Sequence, residues 1–189
     1  MNSAIRTIRF LNNRYKRFGG ANYTINEPTT ILNHSLQTAN YLNFNLNCKP
    51  EEVVAGLLHD YGHILDVPIA PDTGIDDQHE ITGAKALKSL GFPDSVVIPI
   101  SLHVKAKRYL MTVDRNYKLS TGSLLSFQLQ GGKMNTDELK TFENNPYYSS
   151  ALFLRIADDY GKCSYHVGKD LLCYQEYIAE VLNRGNSCK

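Results

Sequence analysis

The chain has 189 residues, 21% of them charged, and a formal net charge of +1. That is enough for one sizeable core and too balanced to mark nucleic acid or a membrane surface as the main partner. Its four cysteines, Cys48, Cys163, Cys173 and Cys188, form no CxxC pair, and no secretory leader or bilayer-length apolar run stands out, which implies a cytoplasmic protein with reduced thiols.

In chain order the pattern is helical almost throughout. Ile5, Ile8 and Leu11 recur at helical spacing and the run stops at Gly19-Gly20, where no phosphate-loop pattern follows. Pro28 and Pro50 occupy positions suited to a first helical residue, ahead of "TILNHSLQTANYL" and "EEVVAGLLHDYGHIL". Gly91 closes "HEITGAKALKSLGF", and Pro99 is expected to kink or delay the helix of "DSVVIPISLHVKAKRYL". Further helices are expected in "GSLLSFQLQGG", in "NTDELKTF" with Asn135 and Glu138 spaced as a capping box, in "SALFLRIADDYGK" and in "DLLCYQEYIAEVL". The fold class expected is all-α.

The segment "EVVAGLLHDYGHIL" raises a physical problem, since His59, Asp60 and His63 interrupt an otherwise apolar helix. A buried ionisable group persists only when it is paired or bound to metal. A single histidine on an apolar face is usually a satisfied core residue, but His34, His59, His63, His79 and His103 all fall within or at the start of expected helices. Histidine and carboxylate ligands without cysteine suit Fe, Mn, Zn, Ni or Mg.

His34, the dipeptide His59-Asp60 and the late Asp158 resemble the pattern of the HD-domain superfamily, an all-helical bundle most of whose members are metal-dependent phosphohydrolases. The resemblance narrows over "LNHSLQTA", "LLHDYGH", "QHE..GA..L..LGF", "HV.AKRYL", "QGG.M" and "R..D..GK". In that order these blocks are similar to the mixed-valent di-iron oxygenases of the superfamily, above all the 2-amino-1-hydroxyethylphosphonate dioxygenases and more distantly myo-inositol oxygenase. It implies that residues 1–189 form one HD domain holding two iron ions as Fe(II)/Fe(III). His34, His59 and Asp158 would hold one iron and His79 and His103 the other, with Asp60 between them.

The activity implied is cleavage of the C–P bond of a small α-hydroxyphosphonate by O2, giving phosphate and a carboxylic acid. The resemblance also assigns His63, Lys107, Ser123, Ser126 and Arg155 to the substrate. Lys107 lies one helical turn beyond His103 and Arg155 three residues before Asp158, so helical geometry brings both towards the metals. Lys107 as a solvated lysine and Arg155 as a structural ion pair are the competing readings. In the relatives a tyrosine and a glutamate close over the site. Glu27 stands at the family distance from His34, whereas Tyr23 lies one residue further from Glu27 than the family spacing, so a gate and simple packing both remain open.

A primary amine on the substrate would suit Glu27, a trimethylammonium group an aromatic cage, and hydroxymethylphosphonate would need neither. An enzyme that hydroxylates the parent phosphonate is the partner expected upstream. The alternative activity is that of an HD phosphohydrolase, in which the metals activate water against a phosphate ester.

Overall fold

The computed structural model describes residues 3–23, 28–65, 76–168 and 170–186. The described residues form no strand, and the helices follow the apolar periodicity of the sequence. They are α1 (Ser3–Phe18), α2 (Ile31–Asn40), α3 (Pro50–Leu58), α4 (His79–Ser89), α5 (Asp94–Val113), α6 (Thr121–Leu129), α7 (Thr136–Glu143), α8 (Tyr148–Tyr160) and α9 (Gln175–Asn186). None is long and apolar enough to cross a membrane.

α5 packs on α8, α4 and α3, while α2 packs on α3 and α8, and α1 and α9 close the outer side of α3. Ile8, Leu11, Leu57, Ile100, Leu154 and Val181 are among the side chains of the main core, and burial of this kind of apolar surface is what holds the bundle. A smaller cluster of Leu102, Ala106, Phe142 and Ala151 joins α5, α7 and α8.

Local chemistry moves several boundaries from their expected places. α2 begins at Ile31, because the Thr30 side chain accepts from the Asn33 amide as N-cap, and Pro28 precedes the helix rather than opening it. α3 does open at Pro50 but ends at Leu58, so the expected helix through Leu65 is broken. His59 caps it and Tyr61–Ile64 form a short 3-10 turn, which means His59 and His63 do not share one helical face. α5 runs from Asp94 straight through Pro99. Asn135 and Glu138 do form the capping box of α7. The sequence "DLLCYQEYIAEVL" divides into a 3-10 turn, Leu171–Tyr174, and α9.

The break after α3 positions the site. A Cβ on Gly83 would lie 2.8 Å from the Gly62 nitrogen, so α4 and the 3-10 turn meet backbone to backbone, and a larger residue at either place would separate them.

Candidate metal centre

The helices and the break after α3 bring six buried side chains able to ligate a metal to one place. His34 comes from α2, His59 and Asp60 from the break after α3, His79 from the first position of α4, His103 from α5 and Asp158 from α8. His59 and Asp60 are fully buried, as is His34, each at 0% exposure.

The imidazoles face one another in pairs. Nε2 of His34 and Nε2 of His59 are 3.1 Å apart, and those of His79 and His103 are 3.2 Å apart. In three of the four, Nδ1 lies 2.8 Å from a backbone carbonyl, of Gly161 for His34, Gly56 for His59 and Ile100 for His103. A carbonyl only accepts, so Nδ1 carries the hydrogen and the lone pair sits on Nε2. At that separation two Nε2 atoms need a proton or a metal ion between them.

Asp60 links the pairs. Its Oδ2 lies 3.4 Å from His34 Nε2 and 3.2 Å from His59 Nε2, and its Oδ1 lies 3.5 Å from His79 Nε2 and 3.8 Å from His103 Nε2. Asp158 Oδ1 stands 3.3 Å from His34 Nε2. From the described residues, neither oxygen of Asp60 nor Oδ1 of Asp158 receives a hydrogen bond, although all three are buried. The Asp60 oxygens, at 0% exposure, are costly unless a cation binds them, whereas Asp158 Oδ1 has Lys162 Nζ 3.2 Å away. Burial opposes charge on His34 and His79, yet the neighbouring carboxylates prevail and raise both to about 9. The pocket therefore calls for positive charge.

The residues fit two metal ions, one among His34, His59 and Asp158 and one among Asp60, His79 and His103, each set within 4.8 Å. Ligands held roughly 2 Å from a shared ion show spacings of this order.

The remaining expected site residues surround these positions. The Tyr23 ring lies tilted against His34 with centroids 4.0 Å apart and meets His63 edge-on at 6.4 Å. Burial raises its hydroxyl well above the ordinary value, and the charges of Asp60 and Asp158 add to that. His63 stacks on His79 at 4.1 Å. Lys107, 4% exposed, donates to Ser126 Oγ at 3.0 Å. Burial lowers its ammonium to about 7, with Arg155 contributing next.

Ser123 and Ser126 lie on α6, whose C-terminal loop is fixed by Arg108 Nε donating to Gly132 O at 2.8 Å. Gly131 and Gly132 turn this loop at φ values of +99° and +63°. Arg155 donates through Nε to Tyr117 Oη at 2.9 Å, through Nη1 to Asp158 and through Nη2 to Asp159. One hydrogen on each terminal nitrogen is left over from these bonds. Glu27 lies outside the described residues.

Two residues join the site that the sequence reading assigned no role. Asp77 bridges Nδ1 of His79 at 2.8 Å and Nδ1 of His63 at 3.1 Å. Lys162 donates to Ser123 Oγ at 2.9 Å and lies 3.2 Å from Asp158 Oδ1. Asp77 was visible as an acidic residue two places before His79 in "DDQHE", and Lys162 as a cation one helical turn after Asp158.

The HD domain family matches residues 31–160, from the first residue of α2 to the last of α8. The chain is 41% identical to a hydroxymethylphosphonate dioxygenase of Gimesia maris over 82% of this chain and 77% of that protein. The chain belongs to the HD-domain phosphonate dioxygenases. It is also 36% identical to a glycine-betaine-forming [1-hydroxy-2-(trimethylamino)ethyl]phosphonate dioxygenase of Leisingera caerulea, over 82% of this chain and 80% of the relative. An uncharacterised protein of Acanthamoeba polyphaga mimivirus is 32% identical over 99% of this chain and 87% of its own. The family membership matches the resemblance read from the HD dipeptide and its surrounding blocks.

Proposed function

We propose that the protein is a di-iron dioxygenase that cleaves the C–P bond of a small α-hydroxyphosphonate, yielding inorganic phosphate and a carboxylic acid. The atoms balance with O2 alone, so no external reductant enters the net reaction. The observation that carries the substrate class is Lys107. A lysine at 4% exposure whose hydrogen-bond partner is the neutral Ser126 hydroxyl is short of an anion, and it stands one helical turn from the ligand His103.

Bound iron, as an Fe(II)/Fe(III) pair, supplies the activation of dioxygen. The work of the chain is to hold the substrate and keep water out. Lys107 and Ser126 take phosphonate oxygens through charge-assisted hydrogen bonds, and Ser123 with Lys162 offers a second such pair one turn along α6. Arg155 adds positive charge, fixes Asp158 and has two hydrogens left for the substrate. His63, whose Nδ1 is tied to Asp77, presents its other nitrogen to the substrate hydroxyl and takes up or returns its proton there. Tyr23 covers the face of His34, excluding water until substrate displaces it. The resemblance to the family gives Glu27 the role of meeting a substrate amine, where there is one.

Release of phosphate by the iron-loaded protein from hydroxymethylphosphonate, 2-amino-1-hydroxyethylphosphonate and its trimethylammonium analogue tests this reading. Turnover of at least one of them, abolished by an iron chelator, is expected. Inertness towards all three would overturn it.

A further inference from the structure

The connection between α5 and α6, residues 114–120, returns one side chain to the site. Asp114 Oδ1 accepts from the Asn116 amide at 2.8 Å and the Asp114 carbonyl accepts from the Tyr117 amide at 3.3 Å, so the chain turns tightly at the end of α5. The turn directs Tyr117 towards α8, where its hydroxyl accepts from Arg155 Nε at 2.9 Å and donates to Asp159 Oδ2. Burial raises this hydroxyl above the ordinary tyrosine value, which keeps the proton that the donation needs.

Asp159 is both an anchor and a competitor. It accepts from Arg155 Nε at 3.2 Å and from Nη2, filling one edge of the guanidinium, and its Oδ1 lies 3.5 Å from Lys162 Nζ. A carboxylate beside these two cations draws on the same positive charge that phosphonate oxygens would use. Donation from Tyr117 occupies Oδ2 and holds the carboxylate against the Nε edge. Because the guanidinium is planar and rigid, fixing that edge also fixes the direction of the hydrogens left on Nη1 and Nη2.

The place of Tyr117 in the chain reinforces this. It lies between α5, which carries Lys107, and α6, which carries Ser123 and Ser126 and buries only Phe127 among its side chains. With so little apolar surface buried, α6 depends on polar bonds for its register, and those from Lys107 to Ser126, Lys162 to Ser123 and Arg155 to Tyr117 all converge on the phosphonate groups.

We propose that Tyr117 is a positioning residue for the phosphonate. Its hydroxyl holds Asp159 to the Nε edge of Arg155, so that the remaining guanidinium hydrogens and the Lys162 ammonium are left for phosphonate oxygens. Tyr117 acts through Arg155 and Asp159 and not on the substrate. This role rests on the phosphonate substrate proposed above.

The test compares the iron-loaded parent protein with Tyr117→Phe, which removes the hydroxyl and keeps the ring. Two quantities are read: the dissociation constant of methylphosphonate, by calorimetry, and KM with kcat for whichever α-hydroxyphosphonate the parent turns over. The dissociation constant and KM should both rise roughly fivefold or more in Tyr117→Phe, as for one weakened hydrogen bond, with a smaller change in kcat. Iron content should hold, since Arg155 keeps its bond to Asp158. A merely structural role would lower the fraction of active protein, and kcat with it, while leaving KM and the dissociation constant where they are. The same substitution made in Arg155→Lys should add little, because lysine has no planar fork to orient. Should Arg155→Lys lose its iron, the single variant decides. An unmoved dissociation constant and KM in Tyr117→Phe, or an equal effect in both backgrounds, would overturn the proposal and leave the phosphonate substrate standing. A parent that neither binds methylphosphonate nor releases phosphate from any of the three α-hydroxyphosphonates would overturn both.

Discussion

A Cβ added to Gly62 would lie 2.1 Å from the carbonyl oxygen of His79, so the glycine that follows Asp60 by two residues is what lets α4 reach the break after α3. Gly62→Ala should push His79 away from Asp60, with a stability loss of about 1–3 kcal/mol from overpacking. Thermal unfolding and metal analysis would check this. The expected variant keeps the position of His34, His59 and Asp158 and binds one metal per chain instead of two.

The ligand assignment makes a graded prediction about metal content. Asp60→Ala removes the carboxylate whose two oxygens face both histidine pairs, so it should empty or weaken both positions, whereas His103→Ala should affect one. Unaltered iron content in Asp60→Ala would contradict the assignment.

Metal binding should also stabilise the fold, because the opposed imidazole lone pairs and the unpartnered Asp60 oxygens then gain a cation. At a hundredfold excess over the dissociation constant the gain is roughly 2.7 kcal/mol. For a chain of this size that raises Tm by about 5–10 °C, readable by calorimetry with and without chelator.

Much of this centre was legible in the sequence, and the reasons are physical. Helical periodicity located α2, α5 and α8, and the resemblance to the HD family, rather than periodicity, singled out His34, His103 and Asp158 on them as candidate ligands. Where helices stop was less visible. The break at Leu58 comes where His59 turns Nδ1 back to Gly56 O and the next segment tightens into a 3-10 turn, and no Gly or Pro falls between Leu58 and Tyr61 to mark it. Asp77 and Lys162 escaped because they act through other residues, Asp77 from the segment just before α4 and Lys162 from just beyond α8, where spacing alone assigns no partner.

Lys107 gives a pH prediction with a defined sign. Its protonated form attracts the phosphonate, and burial lowers its value from the ordinary lysine range to about 7. In free enzyme the charge is present below that value and lost above it, so kcat/KM for the phosphonate should fall as pH rises through about 7. Lys107→Ala should remove this limb and raise KM roughly tenfold or more through loss of one charge-assisted contact. An unchanged KM would place Lys107 outside the site.

Oxygen uptake and phosphate release recorded together, with iron-loaded protein and hydroxymethylphosphonate in one closed vessel, bear most directly on the central claim. Equal amounts of oxygen consumed and phosphate released, with no release under argon, are the expected result. Phosphate released from simple phosphate esters under argon, with no oxygen uptake from any α-hydroxyphosphonate, would contradict it and make the centre hydrolytic.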